Sequence, residues 1–298
     1  MIIGINGKIG SGKDTVGKII QGLVIGEDLF ENGIVGFLDS YDDLEQEDNR
    51  VEWKIKKFAG KLKQFASMLT GISVEDLEKE EVKDSYLGKE WWYYRVPNTL
   101  MTTFTTYFAN DTIPYLDVKN KLVEIHDSFI LNKTTVREFL QKLGTEAIRN
   151  NIHENAWVNA LMVDYKKELT SGWVPSYNNP DNKNLEPNAE LEYPNWIITD
   201  MRFPNELKAV KDRDGISIKV KRYPQKLTVS RGGFDSTDIP FNINNPKHKD
   251  LYEAEILNSH ISETALDKAE FDYVIDNDGT INELINKVKE ILIKEKII

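Results

Sequence analysis

Short continuous apolar runs take turns with stretches of helical period along most of this chain. Residues 1–6, Met-Ile-Ile-Gly-Ile-Asn, make the kind of run that a strand buried on both faces requires. Val16, Ile19, Ile20 and Leu23 then recur at helical spacing. A turn at Glu31-Asn32-Gly33 leads to residues 34–38, a second buried-type strand, and residues 53–59 are a third extended run. Residues 61–69 form a basic amphipathic helix ended by Gly71. Ser73 with Asp76 predicts a capping box for a short helix to about Lys83. Thr135 with Glu138 predicts a second, opening a helix to about Arg149 with Val136, Leu140, Leu143 and Ala147 as its apolar stripe. Another helix starts near Glu154 and carries Trp157, Leu161, Met162 and Tyr165. Residues 195–200 read as a strand that ends in an acid, with Pro204 in the first turn of the next helix. Asp214-Gly215 turns into a strand at 216–220. Residues 271–275 are the last strand, 277–280 a turn and cap, and 281–293 the final amphipathic helix. Strands alternating with helices predict an α/β fold with a mostly parallel central sheet flanked by helices. No repeat of fixed period interrupts it.

Some stretches depart from that rhythm. Residues 39–50 are an acidic polar loop, mainly a solvated one, whose start lies where a parallel sheet forms its ligand crevice. Residues 86–132 hold Trp91-Trp92-Tyr93-Tyr94, a Thr-rich alternation over 103–108 and a further alternating run at 122–130. They predict an inserted β-hairpin or small β subdomain. Its aromatics serve first to pack the insertion onto its host; stacking on a base and an oligomer contact, such as a homodimer's, are the other uses. Residues 170–194 are an Asn/Pro/Ser-rich loop. Residues 224–250 are irregular and contain Arg231-Gly232-Gly233, suited equally to a closing lid or a surface loop. His260-Ile261-Ser262-Glu263 precedes a short helix.

The chemistry is concentrated at Gly7-Lys8-Ile9-Gly10-Ser11-Gly12-Lys13-Asp14-Thr15, between the first strand and the first helix. Strand, glycine-rich loop, Gly-Lys and helix are the P-loop succession. The glycines let main-chain N–H groups close on an anion, and the helix start adds unpaired donors and a positive dipole end. Lys13 is placed to reach the β- and γ-phosphates of a nucleotide. The usual motif follows its lysine with Ser or Thr to hold Mg²⁺; here Asp14 takes that position and Thr15 follows. A carboxylate beside phosphates needs a cation, so Asp14 is expected to act through Mg²⁺, its waters or a basic neighbour, and Thr15 to bond a phosphate. Asp200, at the end of an apolar strand, stands where a Walker-B acid would bind Mg²⁺. Lys57, Lys61 and Lys63 are candidates for phosphate contact, although a solvated lysine face is the more ordinary reading.

Composition narrows the partners. With 38 basic against 49 acidic side chains the net charge is −11, which argues against a nucleic-acid polymer or an anionic membrane as a broad partner. The absence of cysteine excludes disulfides and thiolate chemistry, and four histidines make a zinc site a poor fit. The chain opens on a strand, with no signal peptide and no apolar run of roughly 18 residues, so a cytoplasmic protein is expected. On the helix opened by Thr135, the row Arg137, Gln141, Gly144, with Thr145 beside it, carries a charged fork, an amide and a mid-helix glycine. Such a glycine costs about 1 kcal/mol against alanine and signals close approach by another helix or by a substrate.

Six motifs in order now point to a family: Gly-Lys-Asp-Thr, Thr-Val-Arg-Glu-Phe-Leu-Gln-Lys-Leu-Gly-Thr-Glu (135–146, with Thr134 before it), Trp157, Ile-Thr-Asp-Met-Arg-Phe-Pro-Asn-Glu (198–206), His-Ile-Ser-Glu (260–263) and Ile-Asp-Asn-Asp-Gly-Thr (275–280). Together they resemble the bacteriophage-type deoxynucleoside monophosphate kinases, within the P-loop nucleoside monophosphate kinases. The resemblance implies one P-loop kinase domain over 1–298 that phosphorylates a (deoxy)nucleoside monophosphate from ATP with Mg²⁺, in the host cytoplasm if phage-encoded. It implies that Gly10, Ser11, Gly12, Lys13, Asp14 and Thr15 bind ATP. It also implies that Lys8, Arg137, Gln141, Gly144, Thr145, Trp157, Asp200, Arg202 and Glu206 bind the monophosphate substrate. Lys13, Arg137, Asp200 and Arg202 become the catalytic candidates, and Asp14, Thr15 and Asp200 the Mg²⁺ candidates, through water or directly. Asp200 is then expected to orient Mg²⁺ or Arg202, Glu206 to fix an arginine, Gly144 to admit substrate, and Arg222 and Arg231 to serve a lid. A P-loop kinase for another small phosphorylated metabolite and an NTP-binding regulatory protein are the competing readings.

Overall fold

Two compact units share the chain: Met1–Phe58 with Val158–Ile298, and Ala59–Trp157. The computed structural model describes residues 1–26, 31–41, 52–95, 112–120, 129–169, 191–223, 226–231, 235–240, 242, 245–247 and 261–298. In chain order the elements are β1 (Ile2–Gly7), α1 (Lys13–Ile25), α2 (Gly33–Asp39), β2 (Trp53–Lys56), α3 (Phe58–Thr70), α4 (Glu80–Asp84), β3 (Tyr93–Arg95), β4 (Thr112–Pro114), α5 (Tyr115–Lys119) and β5 (Ile130–Asn132). Then come α6 (Val136–Gln141), α7 (Ala156–Met162), β6 (Glu168–Leu169), β7 (Leu191–Glu192), β8 (Asn195–Met201), α8 (Pro204–Lys211), β9 (Ile216–Lys221), β10 (Lys226–Arg231), β11 (Asp235–Pro240), α9 (Ile261–Thr264), β12 (Tyr273–Asp276) and α10 (Ile281–Lys294). Among the described residues no helix is long and apolar enough to cross a membrane.

The first unit is built on a five-stranded sheet of order β12-β9-β1-β8-β2, parallel throughout. Period-two alternation assigns its two faces. Ile3 and Ile5 of β1 and Ile197 of β8 pack with Val16, Ile19 and Ile20 of α1 and with Leu284, Val288 and Leu292 of α10. Ile2, Trp196 and Ile198 point the other way, onto Val158, Leu161 and Met162 of α7 and Ala209 and Val210 of α8. Both faces are covered, so these strands read as continuous apolar runs, and each fully buried isoleucine contributes about 1.5–3 kcal/mol. α1 rides close on β8, because a side chain at Gly17 would meet Thr199 Cγ2 at 2.6 Å.

Residues 34–38 correct the sequence reading: they lie in the helix α2, not in a strand. Five apolar residues in a row fit either element. Ile34 and Phe37 are the buried pair, three apart, and the Phe37 ring covers Gly22 of α1. Helical winding is what sets that pair on one side. The hairpin β10–β11 occupies part of 224–250, expected to be irregular, with Leu227 opposite Ile239 and Arg231 opposite Asp235. β6 pairs antiparallel with β7, which lies inside the 170–194 stretch that the sequence predicts to be a loop. Residues 42–50, 103–108, 122–128 and 170–190, together with Gly232, Gly233 and His260, lie outside the described residues.

In the second unit β3 pairs antiparallel with both β4 and β5, giving a three-stranded sheet within the aromatic insertion. Ala66 of α3, Leu77, Leu87, and Val136 and Leu140 of α6 form the core beside it. The Thr135 capping box is present in full. The short helix expected from Ser73 to Lys83 is split instead. Asp76 N–H donates to Ser73 Oγ at 3.0 Å, a single 3₁₀ turn covers Asp76–Glu78, and Lys79 is extended before α4 begins. After Gln141 the helix continues to Asn150 with wider π-type turns.

Candidate active site

β1 delivers the chain at Gly7 to the C-terminal edge of the sheet, where the loop folds back on itself: Ser11 N–H donates to Lys8 O at 3.1 Å. Gly10 and Gly12 are left-handed, φ +75° and +89°, a conformation that disfavours any other residue there. Asn277, just past β12, donates from Nδ2 to Ser11 O at 2.9 Å and lies against Gly12. The Ser11 hydroxyl is buried and has no hydrogen-bond partner among the described residues. Lys13 is buried as well, and burial first, with Arg202 and Lys57 adding to it, pulls its ammonium below the usual lysine range against the opposing Asp14 and Asp200. An orphan hydroxyl, a buried ammonium and a glycine cradle are the features an anion would complete.

Asp14 faces the same edge. Its Oδ1 accepts from the Thr199 hydroxyl at 2.8 Å and lies 3.6 Å from Lys57 Nζ; its Oδ2 lies 3.9 Å from Lys13 Nζ. Partial burial pushes the Asp14 carboxyl up, but the Lys57 charge, the Thr199 hydrogen bond and Lys13 outweigh it and leave the group below the ordinary aspartate range. Lys57 and Lys13 are the basic neighbours of Asp14. Thr15 is half-buried in the first turn of α1.

Asp200, the acid near the end of β8, is buried, and its Oδ1 accepts from Phe58 N–H at 2.8 Å. Neighbouring side chains on β8 thus serve different groups: Thr199 the carboxylate of α1, Asp200 the main chain leaving β2. Glu206 is buried and accepts from the main-chain N–H groups of Arg202 at 2.6 Å and Phe203 at 3.0 Å. The Arg202 guanidinium is paired with Glu263 and lies 3.4 Å from Ser262 Oγ. Glu206 therefore fixes the backbone of the arginine, and Glu263 its charge. Glu263 also accepts from Ile9 N–H at 3.3 Å, joining the tip of the phosphate loop to Arg202. Lys8 lies 3.6 Å from Asp267. Thr199 and Glu263 were not singled out as site residues by the sequence, whose only signals were the residue before Asp200 and the Ser-Glu of residues 262–263; Lys57 was named as a phosphate candidate beside the more ordinary solvated reading.

In the second unit Arg137 spreads its fork between two carboxylates, Nε to Asp84 at 2.9 Å and Nη2 to Glu80 at 2.7 Å. Lys83 first and Arg137 next hold the Glu80 carboxyl down at about 2. Trp157 donates its indole N–H to Gly144 O at 2.9 Å. The group that approaches Gly144 is Leu62 of α3, whose Cδ2 would stand 2.8 Å from a Cβ there. Of the two causes weighed for this glycine, close packing against a helix is present. Gln141 and Thr145 are half-buried. Lys63 pairs with Glu78 rather than standing as a free phosphate contact. Arg222 is exposed, and Arg231 lies in β10.

Among the described residues no cluster of three His, Cys, Asp or Glu side chains is poised for a metal. Asp14, Thr15 and Asp200 are hard oxygen donors of the sparse kind that suits Mg²⁺, which keeps most of its waters. A parallel sheet whose central strand enters a glycine loop, Gly-Lys and a helix, beside a strand carrying a buried acid, defines a P-loop protein of the kinase type. Within that class, the chain belongs to the deoxynucleotide monophosphate kinase family, whose sequence profile matches residues 1–230. It is 27% identical over 173 residues to the deoxynucleotide monophosphate kinase of Enterobacteria phage T4, covering 58% of this chain and 51% of that protein. It is 23% identical over 226 residues to the enzyme of the same description from Escherichia phage RB69, covering 75% of this chain and 70% of that protein. The match thus spans about half the length of the first relative.

Proposed function

We propose that the protein transfers the γ-phosphoryl group of ATP to a deoxynucleoside monophosphate, giving ADP and the diphosphate. A phosphate oxygen of the monophosphate forms the new bond to the γ-phosphorus. The bond from that phosphorus to the bridging oxygen breaks, and its electron pair leaves on the β-phosphate of ADP. The attacking oxygen is already ionised, so no strong general base is required, and the chain's task is to position two polyanions and offset their charge.

The observation that carries this reading is the convergence of Lys13, Asp14, Asp200 and Arg202 on the edge beside the Ser11 cradle. Gly10, Gly12 and Ser11 hold the phosphates through main-chain donors, and Lys13 and Arg202 offset the charge on the transferring group. Thr15, Asp14 and Asp200 would hold Mg²⁺, which would supply charge neutralisation and orientation. The family resemblance assigns Lys8, Arg137, Gln141, Gly144, Thr145 and Trp157 to the monophosphate. Arg137 suits a phosphate because its fork binds two oxygens at once. The reaction belongs in the cytoplasm, that of a host cell if the gene is a phage one.

A coupled ADP-release assay tests the proposal, with purified protein, MgATP and each common deoxy- and ribonucleoside monophosphate in turn. Turnover that depends on one or several monophosphates is the expected result. Release equal to a no-acceptor control with every monophosphate would overturn it and turn attention to other phosphorylated acceptors or to nucleotide binding without transfer.

A further inference from the structure

We propose that Lys57 is a second phosphate-binding lysine of the ATP site, presented to the nucleotide by Asp14. This rests on the reading of the glycine loop as an ATP site.

Three placements carry it. First, β2 runs parallel beside β8, with Ile55 opposite Ile197 and Lys56 opposite Ile198, so Lys57 leaves the sheet at the same edge as Thr199 and Asp200. Second, the main chain around Lys57 is fixed on both sides: by the β2 ladder before it and by the bond from Phe58 N–H to Asp200 after it. The base of the side chain cannot drift, while its four-carbon stem keeps the reach of a mobile point charge. Third, the ammonium stands 3.6 Å from Asp14 Oδ1, and Asp14 is the residue directly after Lys13 at the head of α1. Asp14 is itself held by Thr199, so the contact is braced from β8.

The charge balance at this edge explains why such a lysine would be present. Lys13, Lys57 and Arg202 face Asp14 and Asp200, and Arg202 is already engaged by Glu263. Two ammonium groups converge on one carboxylate, and the Lys57 charge adds to the burial that disfavours the charge of Lys13. In a chain of net charge −11, three cations against three carboxylates leave this edge near neutral at the mouth of a cradle shaped for an anion, and without Lys57 it would be negative. The aspartate that replaces the usual Ser or Thr adds a negative charge next to the phosphates, and Lys57 is the group that offsets it. A plain ion pair would give Asp14 and Lys57 a role in stability alone; a phosphate lysine gives Lys57 a role in nucleotide affinity.

The test compares Lys57→Met, Lys57→Ala and Lys57→Arg with the parent protein, each checked for an unchanged thermal midpoint. The readouts are the Kd for Mg²⁺ with a non-hydrolysable ATP analogue, and the separate KM values for MgATP and for the monophosphate. The expected result is a loss of analogue affinity and a rise in the KM for MgATP of ~10-fold or more in the Met and Ala variants. The KM for the monophosphate stays within about threefold, and Arg recovers most of the loss, since charge is what matters. In an Asp14→Asn background the Met substitution costs less than it does alone, because the two residues act as a unit. Parent-like analogue affinity in Lys57→Met and Lys57→Ala would overturn the proposal, as would a loss confined to the monophosphate. If the parent binds the analogue but transfers nothing to any acceptor, the kinase reading fails while the analogue Kd still decides the role of Lys57.

Discussion

Thr199 donates its hydroxyl to Asp14 Oδ1 at 2.8 Å, bridging the strand before the buried acid and the helix after the phosphate loop. The bond favours the ionised carboxylate, and with Lys57 it holds the group below the ordinary aspartate range against partial burial. A carboxyl whose pKa is lowered by folding adds stability that is complete above its ordinary range. That stability is lost as the pH falls from that range through the lower folded value. Thr199→Val is therefore expected to lower the thermal midpoint at neutral pH, with the difference from the parent shrinking below the ordinary aspartate range. Melts recorded as a function of pH check this; a constant difference down to strong acid would mean that Asp14 ionisation is not what the threonine supports.

Arg137 is expected to lose at least ~10²-fold in turnover on replacement by alanine, with lysine a poor substitute for its fork. Its partner offers a second readout. Glu80 is held at about 2 by Lys83 and Arg137, so it stays charged throughout the range in which carboxylates usually titrate. Any stability from this pair is present above that range and disappears only as the pH falls to about 2, and because the pair is exposed its size is small. Carboxyl titration by NMR is expected to show Glu80 near that value and to show it rising in Arg137→Ala.

Gly144 separates packing from substrate contact. Its neighbour is the tip of Leu62, a side chain that can shift, so Gly144→Ala is expected to change stability by about 1 kcal/mol or less, the helix gain offsetting the crowding. Any loss is relieved by adding Leu62→Ala, and the KM for the monophosphate moves less than about threefold. A large KM change that Leu62→Ala does not relieve would return the glycine to the substrate.

Glu263 is a positioning residue, acting through Arg202 and the Ile9 N–H. Glu263→Gln keeps the shape and removes the charge; about a tenfold fall in kcat/KM is expected, with little change in thermal midpoint. In an Arg202→Ala background the same substitution is expected to add almost nothing, which a double-mutant cycle measures.

The sequence carried the elements whose signals are local. β1, the glycine loop and α1 announce themselves by an apolar run, three glycines and a helical stripe within residues 1–25, and Thr135 and Thr280 head helices through the capping boxes their spacing implies. Residues 34–38 were misread because Ile34 and Phe37 define a helix face only once α1 is there to receive them. Glu263 was passed over, and Lys57 read first as part of a solvated lysine face, for another reason. A charged residue at the end of a strand or in a short helix looks solvated until the residue it meets, Asp14 or Arg202, is brought beside it from a distant part of the chain.

The clamp of Asn277 on the phosphate loop spans 266 residues, and β1 finds its parallel neighbours only at β8 and β9. At roughly 5–20 residues per second of synthesis, the loop waits on the order of ten to fifty seconds for the residue that pins Ser11. The loop is thus finished only after β12, far along the chain, has been made. A chain stopped short of Asn277 would carry every glycine of the loop and Lys13 yet lack the strut that sets their shape, so competence to hold a nucleotide waits on the synthesis of β12 and the turn after it.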